Sequence, residues 1–73
     1  MSQYRILWGH GGSPVFEAAS HAEALDHANQ QSFWRQSFMA IYGASTFKLR
    51  DLQMLVSDQW GNSEWVAARG VGA

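Results

Sequence analysis

Seventy-three residues, 47% hydrophobic, 14% aromatic and 15% charged, describe one small domain and exclude a disordered chain, which would be poor in aromatics and rich in charge. Five Lys and Arg against six Asp and Glu give a net charge of −1, and Arg5, Arg35, Lys48, Arg50 and Arg69 stand singly, without the basic stripe of a non-specific nucleic-acid binder. The absence of cysteine excludes disulfides and thiolate metal sites, and no apolar run approaches the roughly 18 residues of a transmembrane helix.

Tyr4-Arg5-Ile6-Leu7-Trp8 predicts a strand with Tyr4, Ile6 and Trp8 on one face. Gly9 to Pro14 breaks it, and Val15-Phe16-Glu17-Ala18 resumes as a second strand. Pairing Trp8 with Phe16 and Ile6 with Ala18 puts all four on one face and leaves a loop from His10 to Pro14. Ser20-His21-Ala22-Glu23 is a capping-box pattern, so a helix is expected from His21, with Ala22, Leu25 and Ala28 facing inward. Between Phe33 and Gly43, Trp34, Phe38, Ile41 and Tyr42 fit a helical face, while Phe38, Ala40 and Tyr42 alternate as a strand would. Periodicity does not separate the two over so short a window; a second helix stopping at Gly43 is the expectation taken.

Phe47 and Leu49 alternate with Lys48 and Arg50, and Leu52, Met54 and Val56 alternate in a new phase, so a bulge or short break belongs at Arg50-Asp51. Glu64 to Arg69 is the last strand. A Gly61-Asn62 turn pairs Val56 with Ala67 and Asp58 with Trp65, and a turn centred on Trp60-Gly61 keeps the same facing. Leu52, Met54, Val56, Trp65 and Ala67 then share a face. Gly70 to Ala73 reads as a frayed tail. The expected fold of residues 1–73 is a single small α+β domain. Its antiparallel sheet of about four strands packs on one or two helices in the order ββα(α)ββ. Trp8, Phe16, Leu25, Met54, Val56 and Trp65 are its expected core. Leu7, Leu55, Val66 and Ala68, interrupted by Arg5, Glu17, Gln53 and Glu64, form a mixed second face that is a candidate contact surface.

Chemistry-bearing motifs are sparse. Gly9-His10-Gly11-Gly12 contains the His-Gly-Gly of esterase oxyanion loops, but the Gly-x-Ser-x-Gly elbow that such sites need is missing. It also lacks the Gly-Lys-Ser/Thr ending of a phosphate loop, so a flexible hairpin loop is the simpler account. His21 and His27 are six apart, about 120° off a common helical face, where metal-binding pairs sit three or four apart. Glu23 and His27 could form a solvated pair. Asp26, Asp51, Asp58, Glu17, Glu23 and Glu64 show no informative carboxylate spacing. Neither catalysis nor a cofactor nor a metal is therefore expected.

Four tryptophans exceed what so small a core readily hides. Trp8 and Trp65 lie in phase with the expected core. Trp60, at a hairpin end, and Trp34-Arg35, at a helix junction, do not. Trp and Arg dominate protein–protein hot spots, and Arg forks onto carboxylates at interface rims. Trp34, Arg35, Arg50 and Trp60 are therefore the expected partner contacts.

The run Phe16-Glu17-Ala18-Ala19-Ser20, then an Ala-rich helix, a Leu-rich strand, a Trp-Gly turn and a Glu-Trp-Val strand, covers about two thirds of the chain. This layout resembles small phage-encoded inhibitors of bacterial defence, compact α+β anti-CRISPR proteins. The resemblance implies a non-enzymatic binder that occupies the surface of a bacterial protein complex. It carries no residue role across, and the near-neutral charge implies recognition by shape and aromatics in place of nucleic-acid mimicry. The alternative is an oligomerisation module that self-associates through its sheet, for which a homodimer is the expectation. Met1 to Arg5 leads into only a few apolar residues, unlike a signal peptide. That start and the missing cysteine fit a cytoplasmic protein with neither a membrane nor direct nucleic acid as partner.

Overall fold

The computed structural model describes residues 1–71. Five strands and two helices run in the order β1 (Ser2–Trp8), β2 (Gly11–Gly12), β3 (Phe16–Ala18), α1 (His21–Asn29), α2 (Ser32–Tyr42), β4 (Leu52–Ser57) and β5 (Ser63–Ala67). The sheet is antiparallel, in the order β2-β1-β4-β5, with β3 also paired to β1. The fold is the expected α+β class, and β2 and β3 together form one broken edge strand.

That edge is broken for local reasons. Trp8 pairs with Gly11 across the two-residue turn Gly9-His10, with Gly9 at φ 60°, and Leu7 pairs with Gly12. The two-residue turn replaces the longer loop expected here, because Gly9 supplies the positive φ that closes a hairpin immediately after Trp8. A Cβ on Gly12 would lie 2.6 Å from the Ile6 carbonyl oxygen, so the close approach requires glycine. At Ser13 the backbone N–H donates to the Ile6 carbonyl (2.8 Å), and the Ile6 N–H donates to the Ser13 hydroxyl (3.0 Å). The hydroxyl thus stands in for a backbone acceptor just before Pro14. Beyond this bulge, Tyr4 pairs with Phe16 and Ser2 with Ala18. The register differs by four from the expected one, an even number, so Phe16 and Ala18 keep the expected face.

The Ser20 hydroxyl caps α1 by accepting the Glu23 N–H (3.1 Å), and a Glu23 carboxylate oxygen accepts the Ala19 N–H (3.3 Å). Its buried side is His21, Ala24 and Ala28 with Leu25 half-buried, while Ala22 faces solvent. The expected inward Ala22 is displaced because the small residues that meet the sheet are four apart, at 24 and 28. The second expected helix is α2, stopped by Gly43 in the left-handed region at φ 73°. Phe38 is its buried anchor, edge-on to Phe47 and tilted against Tyr42.

Phe47 is not in a strand. The Asn29 side chain clamps it, accepting its N–H (2.8 Å) and donating to its carbonyl (3.3 Å). The expected break at Arg50-Asp51 is a 3₁₀ turn, Leu49–Asp51.

The core is Tyr4, Ile6, Ala18, Ala24, Ala28, Phe38, Phe47, Leu52 and Ala68, with Trp8, Phe16, Leu25 and Met54 packed around it. Two expected core residues sit elsewhere. Val56 is half-buried toward the hairpin end of β4, and Trp65 faces away from the helices. The cause is the β4–β5 loop: Val56 pairs with Glu64 and Leu55 with Trp65. The hairpin closes where the Asp58 N–H meets the Asn62 carbonyl (2.8 Å), so three residues, Gln59-Trp60-Gly61, form the loop in place of two. The partner of Val56 moves from Ala67 to Glu64, an odd shift that turns β5 over. Val66 and Ala68, expected on the second face, turn toward the helices, while Trp65 and Ala67 take their place.

The C-terminal chain is also held further than the tail expectation allowed. A 3₁₀ turn spans Ala68–Gly70, and the Val71 carbonyl lies 2.8 Å from His21 Nε2; Gly72 and Ala73 lie outside the described residues. His21, 6% exposed, also meets the Tyr4 hydroxyl through Nδ1 at 2.9 Å. A carbonyl only accepts, so Nε2 donates to Val71, and in the neutral imidazole Nδ1 then accepts from the Tyr4 hydroxyl. Burial pushes the Tyr4 phenol above its ordinary range; the Glu23 charge adds to this and a hydrogen bond with Ser2 opposes it.

Candidate protein-binding surface

The tip of the β4–β5 hairpin displays a large aromatic on a constrained backbone. Asp58 Oδ1 accepts the Trp60 N–H (2.8 Å) and the Asn62 N–H (2.9 Å). The Gly61 N–H donates to the Asp58 carbonyl (3.2 Å), and Gly61 sits at φ 83°, which favours glycine. With these bonds the loop backbone has little freedom to lose on binding, while the Trp60 side chain is 78% exposed. Asp58 and Glu64 are the only charged residues from Leu52 to Ala68, so the hairpin carries negative charge alone.

The sheet face turned away from the helices carries Arg5, Leu7, Gln53, Leu55, Trp65 and Ala67. The Arg5 guanidinium lies 4.3 Å over the Trp65 ring, and its Nε donates to Gln53 Oε1 at 2.7 Å. Stacked and hydrogen-bonded, Arg5 covers part of the indole without neutralising its own charge.

The other expected contacts are dispersed. Trp34 is half-buried among Phe16 (ring centroids 5.5 Å) and His27 (5.8 Å), where it closes the junction of the helices with β3. Arg35 is half-buried, and its Nε is buried with no hydrogen-bond partner among the described residues. Arg50 is exposed over 67% of its side chain, 3.8 Å from Asp51. It borders a groove of about 520 Å³ with Leu7, Phe38, Tyr42, Gln53 and Ala67. Arg50 and Trp60 stand at opposite ends of β4, roughly 20 Å apart at strand rise. The four residues thus do not converge on one patch, and of the two tryptophans Trp60 is the exposed one. Sequence reasoning missed the Arg5–Trp65 pair, whose only signal was the parity of the hairpin loop.

His27 packs tilted against Phe16 (4.9 Å), and Glu23 is occupied at the helix cap, so the expected Glu23–His27 pair does not describe their packing. Among the described residues no three His, Asp or Glu side chains converge as a metal site would require, and no helix is long and apolar enough to cross a membrane. Comparison with known protein families, characterised proteins and solved structures found no match.

Proposed function

We propose that this protein is a non-enzymatic binding module. It occupies the surface of a bacterial protein complex in the cytoplasm, the mode of action implied by its resemblance to small phage-encoded anti-CRISPR inhibitors. One observation carries this reading: Trp60 is 78% exposed on a hairpin tip whose backbone Asp58 ties in place. An exposed indole costs solvation unless something covers it, and a tied loop presents it with little entropy left to lose. Trp60 is the central anchor, and the negative hairpin around it favours a partner surface carrying Arg or Lys.

Affinity capture from nuclease-treated bacterial lysate, with wild-type and Trp60→Ala bait side by side, tests the reading. A protein complex retained by wild type and lost by Trp60→Ala is the expected result. Equal capture by both baits would remove Trp60 from the site. Salt-sensitive capture of nucleic acid alone, without nuclease, would refute the class.

A further inference from the structure

The two edges of the sheet are treated differently. The β2/β3 edge is short, bulged and interrupted by Pro14. These are devices by which proteins discourage a further strand. The β5 edge is five continuous residues, Ser63-Glu64-Trp65-Val66-Ala67, with no Pro, Lys or bulge. Its hydrogen-bonding direction follows from the loop. The Asp58 N–H meets the Asn62 carbonyl, so Asn62 points its backbone at β4, as do Glu64 and Val66 by alternation. Ser63, Trp65 and Ala67 point theirs outward. The Ala67 carbonyl opens the following 3₁₀ turn. The N–H and C=O of Ser63 and of Trp65, and the N–H of Ala67, have no partner among the described residues.

We propose that the occupant of this edge is a second copy of the same strand, paired antiparallel about Trp65. In that register Trp65 exchanges two hydrogen bonds with its twofold mate, and each Ala67 N–H donates to the opposite Ser63 carbonyl. The strand is self-complementary only about an outward residue, and Trp65 is the central one. Glu64 then faces Val66 of the second copy, so no two carboxylates are opposed. On the open face the two Trp65 rings become neighbours, each under its own Arg5. After Ala67 the chain turns to the helix side, where Val71 meets His21, so the described residues leave the edge clear. The sheets of both copies join into one, with the two Trp60 tips at opposite ends. The dimer goes beyond the binding role proposed above, and its test is independent of any captured protein.

Sedimentation equilibrium of the purified chain, with amide hydrogen exchange followed by NMR, tests this. The contact is small, so dissociation on the order of micromolar is expected. The Ser63 amide fronts the occupied Ala67 carbonyl, so Trp65 and Ala67 are the informative amides. Both should gain protection as concentration rises, while Glu64 and Val66 stay protected throughout. Ala67→Pro is the matched variant, because Ala67 already has φ −63° and its N–H points outward. It should keep the monomer's circular dichroism and melting while weakening the dimer about tenfold or more. A monomer at every concentration would overturn the proposal. So would a dimer indifferent to Ala67→Pro, or protection of Trp65 and Ala67 that appears only when another protein is added.

Discussion

The buried histidine shows how one side chain ties three segments together. His21, the first residue of α1, joins β1 through Tyr4 and holds the C-terminal chain through Val71. Replacing Tyr4 by Phe keeps the ring but leaves Nδ1 unpaired in the core, which should cost about 1–3 kcal/mol by chemical denaturation. The raised Tyr4 phenol adds a pH dependence of definite sign. Above about pH 10 the unfolded chain loses its tyrosine proton while the folded chain keeps it, so unfolding gains and stability falls as pH rises. In Tyr4→Phe that alkaline slope should be shallower; an unchanged slope would mean Tyr4 is not its source. Trp65, off the core and covered by Arg5, should cost about 1–2 kcal/mol on change to Ala, less than the 3–5 typical of a buried tryptophan.

Loop parity governs which aromatic is structural and which is free. The helices were legible from sequence because their signals are local: the Ser20–Glu23 cap and the Gly43 stop each act within one turn. The fold class followed from their order among strands. The facing of β5 was not legible, since Gly61 serves equally as the first residue of a two-residue turn or the last of a three-residue loop. Asp58 decides it by accepting both the Trp60 and Asn62 amides, a choice no hydrophobic pattern records. The half-burial of Trp34 left no local trace in the sequence, because its neighbours Phe16 and His27 come from other elements. Asn29, inconspicuous in a polar run, proves to be the clamp on Phe47. Asn29→Ala should destabilise the fold by about 1–3 kcal/mol, read as a lowered melting temperature, because it strips the part-buried Phe47 amide of its acceptor. Gly61→Ala, strained at φ 83°, should cost about 1–2 kcal/mol; if melting were unchanged, the three-residue loop would be wrong.

At the scale of the molecule, helices cover one sheet face and leave the other to a stacked Arg5–Trp65 pair, while Trp60 projects from the sheet's end. Stability and the proposed recognition are therefore separable. Removing the Trp60 indole takes away no packed contact of the core, so Trp60→Ala should melt with wild type while Tyr4→Phe should not. The most direct test is a calorimetric titration of the captured bacterial protein with wild-type and Trp60→Ala chains. Binding anchored by Trp60 should lose at least thirtyfold in affinity, about 2 kcal/mol, with melting temperature unchanged. Equal affinity for the two chains would contradict it.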